Sequence, residues 1–326
     1  MGKLPASAKS HKKFIRAANL FLQNYLNLKK SESFLLISDE FSWDLTRKLW
    51  QISAEQFPQT FVMAFSAPNI QKTNPVRLLQ FLTQADVALF VAKEFRFDWA
   101  DFWLAHNSNA RWAGLTGLRT EQFARFIDLD LESLVHNTEK LRDVLKLGKV
   151  LTIHTDASHA LSFKIDPRHC LADTGLIRNP GETSCLPGGR VLLRPLPDTA
   201  TGDLLINGSV AEVGLLKSSA RFLIRNGHLN KIYAQEDLAA FRAALRRNRT
   251  NRRTLVRVGI GLNPHGKLSG NPVLDQRARG VVHLAFGNEE DSKLNLLNPC
   301  LPVVTFKKAS LQIDNKWIMK QGKFLI

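Results

Sequence analysis

Phe34-Leu35-Leu36-Ile37-Ser38 is an uncharged apolar run, the pattern of a strand buried on both faces. Downstream, Asp44 to Glu55 has helical spacing that turns Leu45, Leu49, Trp50 and Ile52 inward, and Thr60 to Phe65 reads as a second strand. Val76 to Thr83 reads as a short helix and Val87 to Ala92 as a third strand. Upstream, residues 9–28 carry Phe14, Ala17, Ala18, Phe21, Tyr25 and Leu26 at helical spacing. Strands alternating with helices predict βαβ units and a mainly parallel sheet. The aromatic-rich stretch holding Phe95, Phe97, Trp99, Phe102, Trp103 and Trp112 reads as a helix packed on that sheet. Leu131 to Lys146 is an amphipathic helix that closes this half.

The pattern changes near residue 148. Val150 to His154 and Leu161 to Ile165 are short strands, and Pro and Gly become frequent. Ser219 to Arg225 and Leu229 to Ala234 flank Asn226-Gly227, the signature of a two-residue hairpin turn. Leu311 to Met319, turning at Asp314-Asn315, reads as another hairpin. Between them lie a helix from Glu236 to Arg246 and the strands Leu255 to Ile260 and Val281 to Phe286. The prediction is an α/β chain of two domains. Residues 1–148 form an N-terminal α/β domain and residues 149–326 a mixed α+β domain dominated by antiparallel pairs.

The 326 residues are 44% hydrophobic and 23% charged, as in an ordinary globular chain, which excludes a disordered protein or a small disulfide scaffold. No apolar run reaches the roughly 18 residues of a membrane span, and the start of the chain lacks the apolar core of a secretory signal. Three cysteines, Cys170, Cys185 and Cys300, in no CxxC pair, are expected as free thiols in a reducing cytoplasm. Forty-five Lys and Arg against 29 Asp and Glu give a net charge of +16, which attracts anions, acidic peptides or nucleic acid.

Three segments of the second half stand out: Ser184-Cys185-Leu186-Pro187-Gly188-Gly189-Arg190-Val191, Val258-Gly259-Ile260-Gly261-Leu262-Asn263-Pro264, and Asp275-Gln276-Arg277-Ala278-Arg279-Gly280 running on to His283 and Gly287. In order and spacing they resemble the aminopeptidase T family of metallopeptidases and the related dihydroxypyridine dioxygenases. That family's pattern is an NLPGGEV-like turn, an ELGIGxNP-like strand, DExxGTxHIAxG and a late HxD. Ala105 to Arg111 also resembles the family's THSxAR stretch, so the likeness covers nearly the whole chain. It implies the aminopeptidase T fold, a homodimer, and one or two divalent ions held by carboxylates and imidazoles.

The departures bear on that implication. Arg190 and Arg257 stand where the family has acids, Gln276 replaces the Glu of DExxG, and His283 is kept. The HxD pair falls in Leu297 to Val303, which has no His and no acid; Cys300 takes one of its places. Guanidinium groups keep their charge, so two of them in place of carboxylates repel a dication. The expectation is a degenerate member without catalytic residues, metal or cofactor. Arg190, Arg257, His283, His106 and Cys300 would then line a site for a peptide or acidic small ligand, offered to partner enzymes. Equally, the two Arg could form internal salt bridges.

A metal-dependent peptidase or dioxygenase rebuilt on His283 with His154, His159, Asp156 or His106 is the alternative. A third reading uses the basic run Arg246, Arg247, Arg249, Arg252 and Arg253 as an anionic-partner patch. No stacking aromatic interrupts that run, so nucleic acid is the less favoured partner.

Overall fold

The computed structural model describes residues 6–65, 84–93, 109–246, 252–288 and 301–326. In chain order the first elements are α1 (Ala6–Leu20, running into a π-turn at Phe21–Tyr25), β1 (Phe34–Asp39), α2 (Trp43–Gln56), β2 (Thr60–Phe65), β3 (Val87–Ala92), β4 (Arg111–Thr116), α3 (Thr120–Ile127), α4 (Leu131–Leu147), β5 (Val150–His154), β6 (Ala160–Asp173) and β7 (Thr183–Leu186). Then follow β8 (Arg190–Pro195), β9 (Thr201–Ile206), β10 (Ser209–Val210), β11 (Gly214–Leu215), β12 (Ala220–Arg225), β13 (His228–Tyr233), α5 (Ala239–Ala244), β14 (Thr254–Gly261), α6 (Pro272–Asp275), β15 (Val282–Gly287), β16 (Val303–Phe306), β17 (Ser310–Ile313), β18 (Lys316–Lys320) and β19 (Lys323–Phe324).

The first unit holds the described residues up to Asp130 together with Gly175–Gly188. Its sheet is wholly parallel, in the order β2-β1-β3-β4-β7. β1, β3 and β4 are buried at every position, as expected of central parallel strands covered on both faces. On α2, Leu45 and Leu49 turn inward with Thr46 and Ser53, while Trp50 and Ile52 are only half-buried. Phe123 of α3 meets Phe14 and Phe21 with ring centroids 5.5 Å apart, which fastens α1 to α3.

The winding reverses between β1 and β3, where doubly wound sheets open a crevice at the strands' carboxyl ends. Asp39 fills that point from within. Its carboxylate accepts the Ser42 N–H at 2.8 Å and the Lys93 N–H at 2.7 Å, joining the end of β1 to the start of α2 and the end of β3.

The second unit holds Leu131–Thr174 and Gly189–Ile326. Its strands are antiparallel and six of them close a ring: β6 pairs β9, β9 pairs β12, β12 pairs β13, β13 pairs β14, β14 pairs β8, and β8 returns to β6. One wing leaves β14 through β15, β16, β10 and β11, and another leaves β6 through β5, β17, β18 and β19. Phe222, Phe241 and Phe286 pack with centroids 5.8–6.4 Å apart. The Asn226-Gly227 turn has φ of 48° and 75°, the two positive values a type I′ hairpin requires.

Fold class and most elements follow the sequence, with two corrections. Trp112 lies on β4, not on a helix, and its ring meets Phe90 edge-on at 6.1 Å. The boundary is not a single cut at 148. α4 packs on β6 and β8 and belongs to the second unit, while β7 returns as the fifth strand of the first sheet. A strand that a distant stretch of chain returns to a sheet leaves no mark in composition. The expected helix Val76 to Thr83 and the aromatics Phe95, Phe97, Trp99, Phe102 and Trp103 lie outside the described residues. Among the described residues no helix is long and apolar enough to cross a membrane.

Because Asp39 satisfies two backbone N–H groups, Asp39→Ala should destabilise the protein by about 2–4 kcal/mol. Asp39→Asn, which keeps one acceptor, should cost less. Urea titration followed by circular dichroism checks the order, and equal stability of all three proteins would contradict it.

Candidate functional site

β14 pairs with β8 on one side and β15 on the other. The register sets Arg190 opposite Gly261, both Leu192 and His283 opposite Gly259, and Ala285 opposite Arg257. Residues directly opposite share a face and neighbours along a strand alternate. Arg190, Arg257 and His283 therefore share one face, continued by Thr305 opposite His283 on β16. The other face carries Leu193, Val258, Ile260 and Leu284. A face rich in charge and glycine ordinarily meets water. Here Arg190, Arg257, His283 and Thr305 are at most 2% exposed.

Arg190 donates from Nε to Asp173 Oδ2 at 2.7 Å and from Nη1 to Gln276 Oε1 at 2.5 Å. Gln276 donates in turn to the Val273 carbonyl at 3.2 Å, and Arg277 Nη1 donates to the same carbonyl. Asp275 is fully buried and accepts Ser269 N–H and O–H at 2.7 Å each and Gly270 N–H at 2.9 Å. The turn that carries these side chains is stitched to the end of β14. Asn263 N–H donates to the Arg277 carbonyl at 2.9 Å, and Arg279 N–H donates to the Asn263 carbonyl at 3.0 Å.

His283 stands among these groups. Burial holds its imidazole well below the ordinary titration range, and the charges of Arg257, Arg190 and Arg277 push it the same way, while the Gln276 main chain opposes them. The ring is uncharged at neutral pH. Neither of its nitrogens makes a hydrogen bond of ordinary geometry among the described residues.

The structure thus brings together Arg190, Arg257 and His283, and adds Arg277, Asp173 and Gln276. Arg277 stands in the quoted Asp275 to Gly280 segment, where its type and place were the available signal. Asp173 had none, because it comes from the far end of β6.

His106, Cys300, Arg247 and Arg249 lie outside the described residues. Of the basic run, Arg246 is exposed, and Arg253 is half-buried and donates to the carbonyls of Leu229 and Asn230 at 3.4 and 3.3 Å. Arg252 is half-buried as well. His154 pairs with Gln312 at 3.2 Å and lies against Trp317, whereas His159 pairs with Asp156 at 2.9 Å in the turn after β5. These histidines have separate partners. Cys185 is buried on β7, and burial pushes the Cys170 thiol up to about 11, which leaves it a poor nucleophile at neutral pH.

Two solved structures share this architecture over nearly its full length. One is 2,5-dihydroxypyridine dioxygenase from Pseudomonas putida, with a TM-score of 0.78 and 14% identity, covering 99% of this chain and 98% of that one. The other is AmpT from Thermus thermophilus, with a TM-score of 0.68 and 14% identity, covering 97% of this chain and 100% of that one. The likeness is one of fold. No protein-family model and no curated protein matches the sequence.

The divalent ion that the sequence resemblance implies does not fit the residues around His283. A divalent cation takes carboxylate, imidazole or thiolate donors. The groups acting on His283 are guanidiniums, and Asp173 is already engaged by Arg190. Among the described residues no group of three His, Cys, Asp or Glu side chains gathers as a ligand set.

The depressed His283 titration makes stability depend on pH. Below 6.5 the unfolded imidazole binds a proton that the native ring refuses, so stability is lost as pH falls. One such group costs about 1.4 kcal/mol per pH unit until the native ring protonates. His283→Gln should flatten the decline between pH 6.5 and 5.5, read from urea midpoints. An unchanged slope would show that the imidazole titrates normally.

Proposed function

We propose that this chain is a non-catalytic binding protein for an anionic ligand, a peptide or other carboxylate-bearing molecule, on the fold it shares with AmpT and the dioxygenase. The observation that carries the reading is the burial of Arg190, Arg257 and His283 on one strand face, with Arg277 also bearing on the uncharged imidazole. Guanidinium groups bind carboxylates and phosphates through paired N–H donors. The chain is then a degenerate relative of the metallopeptidases it resembles, in which positive side chains take the part of the metal's charge. Such a site suits a protein that holds a peptide for partner enzymes without cleaving it.

Calorimetric titration of chelator-treated protein with triglutamate tests this reading. Binding should survive chelation, and Arg257→Gln should weaken it about tenfold or more, given charge-assisted bonds of roughly 1.5–3 kcal/mol. Arg257→Lys, which keeps the charge and loses the fork, should fall between. Affinity that appears only with added zinc, cobalt or iron, or peptide cleavage abolished by His283→Ala, would overturn the proposal in favour of a rebuilt metal site.

A further inference from the structure

The strand carrying His283 is not adjacent to the strand carrying Arg190. β14 lies between β15 and β8, and two strand spacings amount to about 9.6 Å. An imidazole standing upright on β15 would face its own neighbours on β14. The ring instead leans over β14, with its Cε1 and Nε2 above Gly259.

Gly259 is what it leans over. A Cβ on Gly259 would come 2.0 Å from His283 Cε1 and 2.4 Å from Nε2, far inside van der Waals contact, and 2.8 Å from Leu192 Cδ2 on β8. The imidazole therefore occupies the side-chain space of residue 259, and its far edge points toward β8. Gly259 is not a residue in the left-handed region, so backbone freedom is not the reason for a glycine here. The reason is room. Ser, Ala or any larger residue would meet an imidazole enclosed at 0% exposure.

We infer that Gly259 is the positioning residue of the anion site, a vacancy in β14 that seats the His283 imidazole beside the Arg190 and Arg257 guanidiniums. The inference rests on the proposed anion-binding role of that cluster. It assigns a function to the first glycine of the Gly-Ile-Gly segment, one that a purely structural glycine would lack.

Triglutamate titration of four proteins tests it: wild type, Gly259→Ala, His283→Ala, and the double variant. Gly259→Ala should lose affinity by about the same factor as His283→Ala, at least about fivefold, measured on protein shown to be folded by circular dichroism. The methyl group that Gly259→Ala introduces fits the space that His283→Ala vacates. The double variant should therefore be more stable than Gly259→Ala alone, and no weaker in binding than His283→Ala. A coupling of this sign is the mark of two residues sharing one volume. As a second readout, the His283 ¹⁵N side-chain resonances of Gly259→Ala should move toward those of an ordinarily titrating histidine, because the ring leaves the guanidiniums.

If Gly259→Ala binds triglutamate as wild type does while His283→Ala does not, the positioning role is overturned and the anion site stands. Unchanged affinity in His283→Ala, or no binding by wild type, overturns the anion site and the positioning role together. A Gly259→Ala protein too unstable to titrate leaves the double variant to decide. Failure of His283→Ala to restore its stability would count against a shared volume.

Discussion

The buried ion pair between Arg190 and Asp173 governs the second unit. Its side chains are 2% and 1% exposed, its N–O distance is 2.7 Å, and the two residues face each other where β8 meets the end of β6. Taking both charges out of water is costly, and the pair holds only because geometry and further hydrogen bonds answer that cost. Gln276 supplies one of them on the far side of the guanidinium. Loss of either charge would leave the other stranded, at a cost of order 3–5 kcal/mol. The same contact closes the six-strand ring, because β8 is the strand that joins β6 to β14, and it draws the turn from Asp275 to Gly280 onto the sheet.

From that pair follows the character of the buried face. With Arg190 fixed by Asp173 and Gln276, its charge stays in the interior beside Arg257 and Arg277. Burial strengthens each charge's effect on its neighbours. The group that yields is the one able to lose a proton, so His283 is uncharged while the guanidiniums are not. Whether such a face carries acids or bases makes little difference to the fold. The opposite face, with Leu193, Val258, Ile260 and Leu284, supplies the apolar packing that holds the strands together. A scaffold built this way can persist at 14% identity.

Legibility in the sequence followed the range of the interactions. β1, β2, β3 and both hairpin turns depend on neighbours in the chain, and their apolar runs and Asn-Gly or Asp-Asn turns announced them. Trp112 departs from the expected helix because an aromatic-rich stretch reads as a packed helix, whereas its place on β4 is decided by pairing with β3 and β7. The split between the units was hidden for the same reason, since Thr183 to Leu186 becomes part of the first sheet only through that pairing. Of the site, Arg190 and Arg257 were found as departures from a motif and His283 as a residue that the motif retains, which gave their identity but not their distances. Asp173, 17 residues before its partner, carried no local signal, and whether Arg190 was paired or free was a question only the fold could answer.

Gly259 illustrates the limit in its sharpest form. By itself, a glycine inside a strand reads as a weakness, a bulge or a close approach. Which of these it is depends on the residue across the ladder, and the register supplies His283. The informative unit in this sheet is therefore the cross-strand pair rather than the residue. Gly259 with His283 makes room, Arg190 with Asp173 neutralises charge, and Arg257 with Ala285 keeps a long side chain opposite a small one. Each pair matches a bulky or charged group to a partner that tolerates it. Three such matches on adjacent strands are what allow a polar cluster to sit inside a closed antiparallel ring, where an unmatched charge would break the packing around it.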